Sequence, residues 1–334
     1  MKHLLIRDEQ LNGWEYGMLR AFEDAIVQVT GAEVCLIPEY KFAKKLLPHV
    51  GHGMNKSFIR DYLPKQPFTV EGDVLWYILM GPENYRLDLH TGWDKKGTTN
   101  VLYLFDTLPS QYPIIKKLFS GKEWDICITA FNDAVDDLEK LTGHKWYCIE
   151  QAADASLFTG AAFSEKLIHF TSYGRRFPDF HKALLAFCSA NGLYYDYTTH
   201  DGRHPTADSI ELYKQYAWHL NHSLFTISWP VELTNPARAG HLSPITCRWF
   251  EGAASGAIIA GKAPANPAFS NWLHADLVAP LNPLGTEKEM LKQLDSLWDN
   301  RVALFEKSRR IQETNKERWS WKNRVNRILD SLPC

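Results

Sequence analysis

Continuous apolar runs alternate with amphipathic segments along this chain, and that alternation predicts strands separated by helices. His3 to Ile6 is a short apolar run; the polar segment Arg7 to Gly13 follows it, and then an amphipathic helix from about Trp14 to Thr30. Ala32 to Pro38 supplies the next strand. Asp73 to Met80 and Asn100 to Phe105 are unbroken apolar runs, as expected of parallel strands covered on both faces. Trp124 to Ala130 reads as a strand, Asp133 to Thr142 as a helix and Trp146 to Ile149 as a short strand. Between the second and third strands, Tyr40 to Lys65 has weak periodicity and reads either as a surface helix and loop or as a mobile segment.

The alternation breaks at the non-repetitive segment Glu150 to Phe158, which reads as a linker, and then resumes. A strand over Lys166 to Phe170 turns through Thr171-Ser172-Tyr173-Gly174-Arg175-Arg176 into a helix from Pro178 to Asn191. Leu193 to Thr198 is the next strand, Ser209 to His219 a helix capped by Asp208 or Ser209, and Ser223 to Ser228 a strand. A polar loop, Glu232 to His241, leads to Ser243–Gly261: a loop, a short helix starting near Thr246, a Gly-punctuated turn and a buried strand. Leu277 to Pro280 is a late strand, and Glu287 to Glu317 is helical and highly charged. In the last helix, about Ser320 to Leu332, Trp321, Val325 and Ile328 recur at helical spacing and should dock on another element. Two successive α/β halves predict two Rossmann-like domains facing a cleft.

Composition narrows the class. The chain has 334 residues, enough for two cores, and its 45% hydrophobic and 23% charged residues are those of an ordinary globular protein. A formal net charge of -2 gives no global reason to expect a nucleic-acid partner. Six cysteines lie scattered without metal-binding spacing and read as reduced core thiols. No apolar run approaches the roughly 20 residues needed to span a bilayer, and the N-terminus is too short and polar for a signal peptide, so a cytoplasmic location is expected. Aromatic residues reach 13%, with 12 Trp, which suits either a sugar or base site or an aromatic core.

The candidate chemistry gathers in Ser243–Gly261. A helix N-terminus at Thr246 with Arg248 beside it suits an anion, and the Glu251 carboxylate one turn later suits a diol. Together they suit a nucleotide. Gly174, Arg175 and Arg176 occupy the turn after the second half's first strand, one glycine beside two adjacent arginines. Asp106 ends the Asn100–Phe105 strand, at the edge where open α/β sheets bind ligands.

Three motifs resemble the GT-B glycosyltransferases, group-1-like members. Asp125-Ile126-Cys127-Ile128-Thr129 with Gln151-Ala152-Ala153-Asp154-Ala155-Ser156-Leu157-Phe158 is similar to their interdomain signature, with Ala152 where a Gly is usual. Arg248-Trp249-Phe250-Glu251-Gly252-Ala253-Ala254-Ser255-Gly256 resembles the donor motif Arg-x-Phe-Glu-x-x-x-x-Gly. Trp319 to Val325 looks like the helix that crosses back to the N-terminal domain. The resemblance implies an N-terminal acceptor domain over 1–155, a C-terminal donor domain over 156–318 and a returning helix over 319–334. It departs at a second point. Many retaining members carry Glu-x7-Glu, and eight positions before Glu251 stands Ser243, with Asn235, Arg238 and Thr246 as possible replacements on the same loop.

The resemblance implies metal-independent transfer of a sugar from a nucleotide-diphosphate sugar to a hydroxyl acceptor, such as a saccharide. A UDP-sugar is the first choice of donor, ahead of GDP- and ADP-sugars. It assigns the donor to Gly174, Arg175, Arg176, Ser243, Thr246, Arg248, Glu251, Ser255 and Gly256, with Asn12 and Gly13 approaching from the first loop. An inverting reaction would need a base, for which Asp106 ranks ahead of Asp8 and Glu15; a retaining one would not. The rivals are a nucleotide-sugar epimerase on the same fold and a non-catalytic nucleotide-sugar-binding or scaffold protein. Base, sugar, acceptor, stereochemical outcome and oligomeric state stay open.

Overall fold

The computed structural model describes residues 1–9, 11, 13, 16–38, 64–94, 97–119, 124–198 and 208–331. Asn12, Trp14 and Glu15 lie outside them, as does nearly all of the Tyr40–Lys65 stretch.

The first sheet has six parallel strands: β1 (His3–Arg7), β2 (Glu33–Leu36), β3 (Val74–Leu79), β4 (Thr99–Leu104), β5 (Ile126–Thr129) and β6 (Trp146–Cys148). Their order is β2-β1-β3-β4-β5-β6. The second sheet has five: β7 (Ile168–Ser172), β8 (Tyr195–Tyr197), β9 (Ser223–Ser228), β10 (Ile258–Gly261) and β11 (Val278–Pro280). These are again all parallel, in the order β8-β7-β9-β10-β11. In each sheet the chain starts centrally, adds one strand on one side and crosses back to the other, so a switch point lies between β1 and β3 and another between β7 and β9. Loops leaving a switch point diverge and open a crevice at the carboxyl ends of the strands.

Helices α1 (Gly17–Thr30), α2 (Tyr112–Leu118) and α3 (Val135–Thr142) belong to the first half. The second half carries α4 (Pro178–Ala190), α5 (Ser209–Asn221), the short α6 (Val231–Thr234) and α7 (Pro236–Ala239), α8 (Cys247–Ala254) and α9 (Phe269–Trp272). It ends with α10 (Glu287–Asp299) and α11 (Arg301–Asn315), and α12 (Trp321–Leu329) closes the described chain. None of these helices is long and apolar enough to cross a membrane.

Three readings of the pattern need correction. The strand placed at Lys166–Phe170 runs from Ile168 to Ser172, while Lys166 before it directs its amine to the carbonyls of Asn221 and Ser255. The polar loop after β9 holds α6 and α7, the second started by Asn235, whose side chain accepts from the Arg238 amide. The single charged helix over Glu287–Glu317 is two, divided at Asn300. Of the described cysteines, three lie on strands (Cys35, Cys127 and Cys148) and two on helices (Cys188 and Cys247), and all five are free thiols, as expected.

Strand β3 is buried throughout, and β1, β4 and β5 pack beside it in one aromatic-rich core. Trp321 of α12 enters that core, stacked on Phe22 with ring centroids 4.6 Å apart, and Val325 and Ile328 follow it. Around the second sheet, Phe170 stacks on Phe225 at 4.8 Å on one face, while Tyr213, Trp249, Phe250 and Trp319 fill the other. The many Trp residues are thus largely core. Segment 150–153 is fastened by the end of the chain: Ala153 exchanges backbone hydrogen bonds with Trp319 and Trp321, and fully buried Arg324 donates to the carbonyls of Glu150 and Gln151.

Candidate active site

Loops following strands of the first sheet touch loops following strands of the second. The Asp106 carboxylate, just after β4, accepts a 2.6 Å charge-assisted hydrogen bond from Arg238 on α7. Asn132, after β5, accepts from Asn266, after β10, at 2.7 Å. Asp133 accepts from the Ser243 amide at 2.6 Å, and Gln151, after β6, accepts from the Cys247 amide at the start of α8.

Around the second switch point three arginines converge. Arg175 follows β7, Arg238 stands in the last turn of α7, the second short helix after β9, and Arg248 stands in the first turn of α8. The Arg175 guanidinium has its basicity lowered by partial burial first and then by Arg238 and Arg248, with Asp106 acting against them. Three cations that disfavour one another's charge have the electrostatics of an anion site. Arg238 reaches this position because α7 ends against the first half, with Gly240 beside the ring of Pro109, two residues past Thr107. Arg248 lies flat against Gly174, whose φ of +90° is in the region that favours glycine and where an added methyl would overlap the guanidinium. Gly174 therefore makes room for an arginine, and its amide is used on Thr198 Oγ1 at 3.2 Å. Arg176 places its guanidinium 4.9 Å from the centroid of the Tyr197 ring.

The rest of the expected set divides. Thr246 is the N-cap residue of α8, without a side-chain capping bond. The anion-binding capacity of that helix start is partly taken by Gln151. Glu251 is buried, and Tyr213 Oη donates to its Oε1 at 2.7 Å while Tyr216 Oη donates to its Oε2 at 3.2 Å. Burial pushes its carboxyl above the usual range, against the pull of Tyr213, Arg248 and Tyr216. Ser255 and Gly256 are not brought to the arginines. Ser255 caps the far end of α8 and bonds Gly252, while Gly256 packs against Arg309 and Gln312 of α11.

In the first half, burial raises the Asp106 carboxyl above its ordinary value, Arg238 lowers it and nearby Glu83 raises it. Asp8 is buried after β1, 3.2 Å from Arg86 Nε. Gly13 donates its amide to Ser209 Oγ at the start of α5, 3.0 Å away. Asn12 and Glu15 lie outside the described residues.

Three carboxylates were not legible as site residues. Glu83 joins Asp106 at the edge of the first sheet and accepts from Gln111. The Ser243 hydroxyl bonds to Glu232 Oε1, so a carboxylate does stand beside the position where the motif lacks one. Glu232 Oε2 and Asp133 Oδ1 are buried without hydrogen-bond partners, and Ser243 lies between their bonded oxygens. The signal for Glu232 was available only as its place just after β9, at a switch point.

A family model described as glycosyl transferase-like matches residues 152–330. No curated protein matches the sequence. Among solved structures, sucrose-phosphate synthase from Thermosynechococcus elongatus is similar over 99% of this chain and 98% of that one, with a TM-score of 0.56 at 9% identity. A glycosyltransferase involved in avilamycin A biosynthesis is similar over 99% and 96%, with a TM-score of 0.51 at 13% identity. A glycosyltransferase from Rickettsia africae is similar over 98% and 97%, with a TM-score of 0.50 at 11% identity. These likenesses establish the GT-B fold, and with the family match over more than half its length the chain belongs to the glycosyl transferase-like family of enzymes.

Proposed function

We propose that the enzyme transfers a sugar from a nucleotide-diphosphate sugar, a UDP-sugar first, to a hydroxyl acceptor. The observation that carries this reading is the convergence of Arg175, Arg238 and Arg248 at the switch point of the second sheet, facing Asp106 of the first. The donor would lie between the halves, its diphosphate on these guanidiniums. Charge developing on the leaving diphosphate would be met by donors already in position, each worth about 1.5–3 kcal/mol as a charge-assisted hydrogen bond. Fixed guanidinium charge supplies the role a divalent cation would otherwise fill, which supports transfer without a metal.

Glu251 would take a ribose hydroxyl in exchange for the longer bond from Tyr216. Asp106 is the group we assign to the acceptor hydroxyl, with Glu83 beside it. Segments 1–155 and 156–318 would form the acceptor and donor domains, closing about Asp154 to exclude water.

A thermal-shift panel of UDP, GDP, ADP and TDP, followed by chromatography after incubation with the matching sugar nucleotides, tests the reading. One diphosphate should stabilise the protein and be released from its sugar nucleotide when an acceptor is supplied. Stabilisation by none of the four would overturn the donor assignment. A new sugar nucleotide formed without acceptor would point to an epimerase.

A further inference from the structure

We propose that Arg238 is shared between two anions, holding Asp106 in the free enzyme and turning to the donor diphosphate on binding, so that the donor itself releases the Asp106 carboxylate for the incoming hydroxyl. The inference rests on the reading of a nucleotide-diphosphate donor. It starts from the position of Arg238, whose Nη2 lies 2.6 Å from Asp106 Oδ2 while the side chain keeps 32% of its surface exposed. A guanidinium carries five donors in a planar fork and can leave one carboxylate without being stripped of partners.

The groups facing Asp106 are Arg238 of α7, Arg175 of the loop after β7 and Glu83 of the loop after β3. Arg248 completes the set around Arg175. A diphosphate between Arg175 and Arg248 would present several negative oxygens to Arg238, against one carboxylate of Asp106. While the pair is intact, Asp106 is a poorer base, because the Arg238 cation bonded to Oδ2 lowers the basicity of the carboxylate. Once Arg238 moves, burial and Glu83 raise the proton affinity of the Asp106 carboxylate, which equips it to take the proton of the incoming hydroxyl.

In the transfer step the acceptor O–H proton passes to Asp106 and the acceptor oxygen forms its bond to the anomeric carbon. The bond from that carbon to the phosphate oxygen breaks, and its electron pair stays on the nucleoside diphosphate, opposite Arg175, Arg238 and Arg248. Arg238 is on this account a positioning residue, coupling donor occupancy to the readiness of the acceptor side. An inter-half ion pair that merely braces the fold would show no such coupling.

Calorimetric titration of UDP, GDP, ADP, TDP and inorganic pyrophosphate into wild type, Asp106→Asn, Arg238→Ala and the double variant separates the two. Asp106→Asn frees Arg238 and should bind the diphosphate roughly three- to tenfold more tightly than wild type. That gain should vanish when Arg238 is also alanine. Arg238→Lys repeats the comparison if the alanine variant does not fold. No tightening in Asp106→Asn, or the same tightening without Arg238, would overturn the exchange. If no diphosphate binds wild type, the donor reading itself fails.

Discussion

The Tyr213 hydroxyl donates a 2.7 Å hydrogen bond to Glu251 Oε1, joining α5 to α8 inside the second half. Burial holds the Glu251 carboxyl above its ordinary value. An acid with a raised folded-state pKa favours the folded form most when protonated, so its contribution is full below the unfolded value and is lost as pH rises through the folded one. Denaturant unfolding of wild type and Glu251→Gln from about pH 4 to 7 should therefore show wild type losing stability relative to the variant as pH rises. A constant difference across that range would contradict this account of Glu251. Tyr213→Phe leaves a buried carboxylate oxygen with one donor fewer and should cost about 1–3 kcal/mol at neutral pH.

Ser243 and Glu232 are expected to behave as one unit, since their side chains hydrogen-bond and each touches Asp133 electrostatically or through its amide. Ser243→Glu restores the motif's carboxylate but sets it against Glu232 and Asp133, and should destabilise by about 1–3 kcal/mol through like-charge crowding and desolvation. The exchange Glu232→Ser with Ser243→Glu keeps one carboxylate and should recover much of the loss. Thermal unfolding of the three variants checks this. A double variant no better than Ser243→Glu alone would mean that the two positions are independent.

The strands were legible because two-sided burial writes itself as apolar runs: Val74–Leu79 and Ser223–Ser228 lie where the pattern predicts them. Helix α12 was legible from Trp321, Val325 and Ile328, which occupy the core their spacing implied. Arg248 was a candidate from its place at a helix start and Arg175 through the resemblance, and the structure brings the two close enough to affect each other's charge. What the pattern could not carry was tertiary pairing. That Arg238 would meet Asp106, 132 positions away, depends on α7 packing against Pro109. Glu251 looks exposed in a linear motif because nothing local announces Tyr213 and Tyr216 above it. Ser255 and Gly256 continue the same motif, yet eight residues of helix carry them to the opposite end and into contact with α11.

Lys166 provides a second pH test, with the opposite sign. Its amine donates to the carbonyls of Asn221 and Ser255 at 2.7 and 3.3 Å, and burial, reinforced by Arg309, brings its pKa down to about 7. A depressed lysine means that the unfolded chain binds the proton more readily between about pH 7 and the ordinary lysine value, so stability should rise with pH in that window. Wild type should gain stability relative to Lys166→Met from pH 7 to 10 in denaturant titrations. Parallel curves would show that Lys166 stays charged in the folded protein.

The central claim is that the guanidiniums at the second switch point bind the donor's diphosphate, and isothermal titration with UDP, GDP, ADP and TDP addresses it most directly when wild type is compared with Arg175→Ala and Arg248→Ala. One nucleotide should bind wild type, and each variant should bind it about tenfold or more weakly, as expected for loss of a charge-assisted contact. Binding of none of the four to wild type, or undiminished affinity in both variants, would contradict the account.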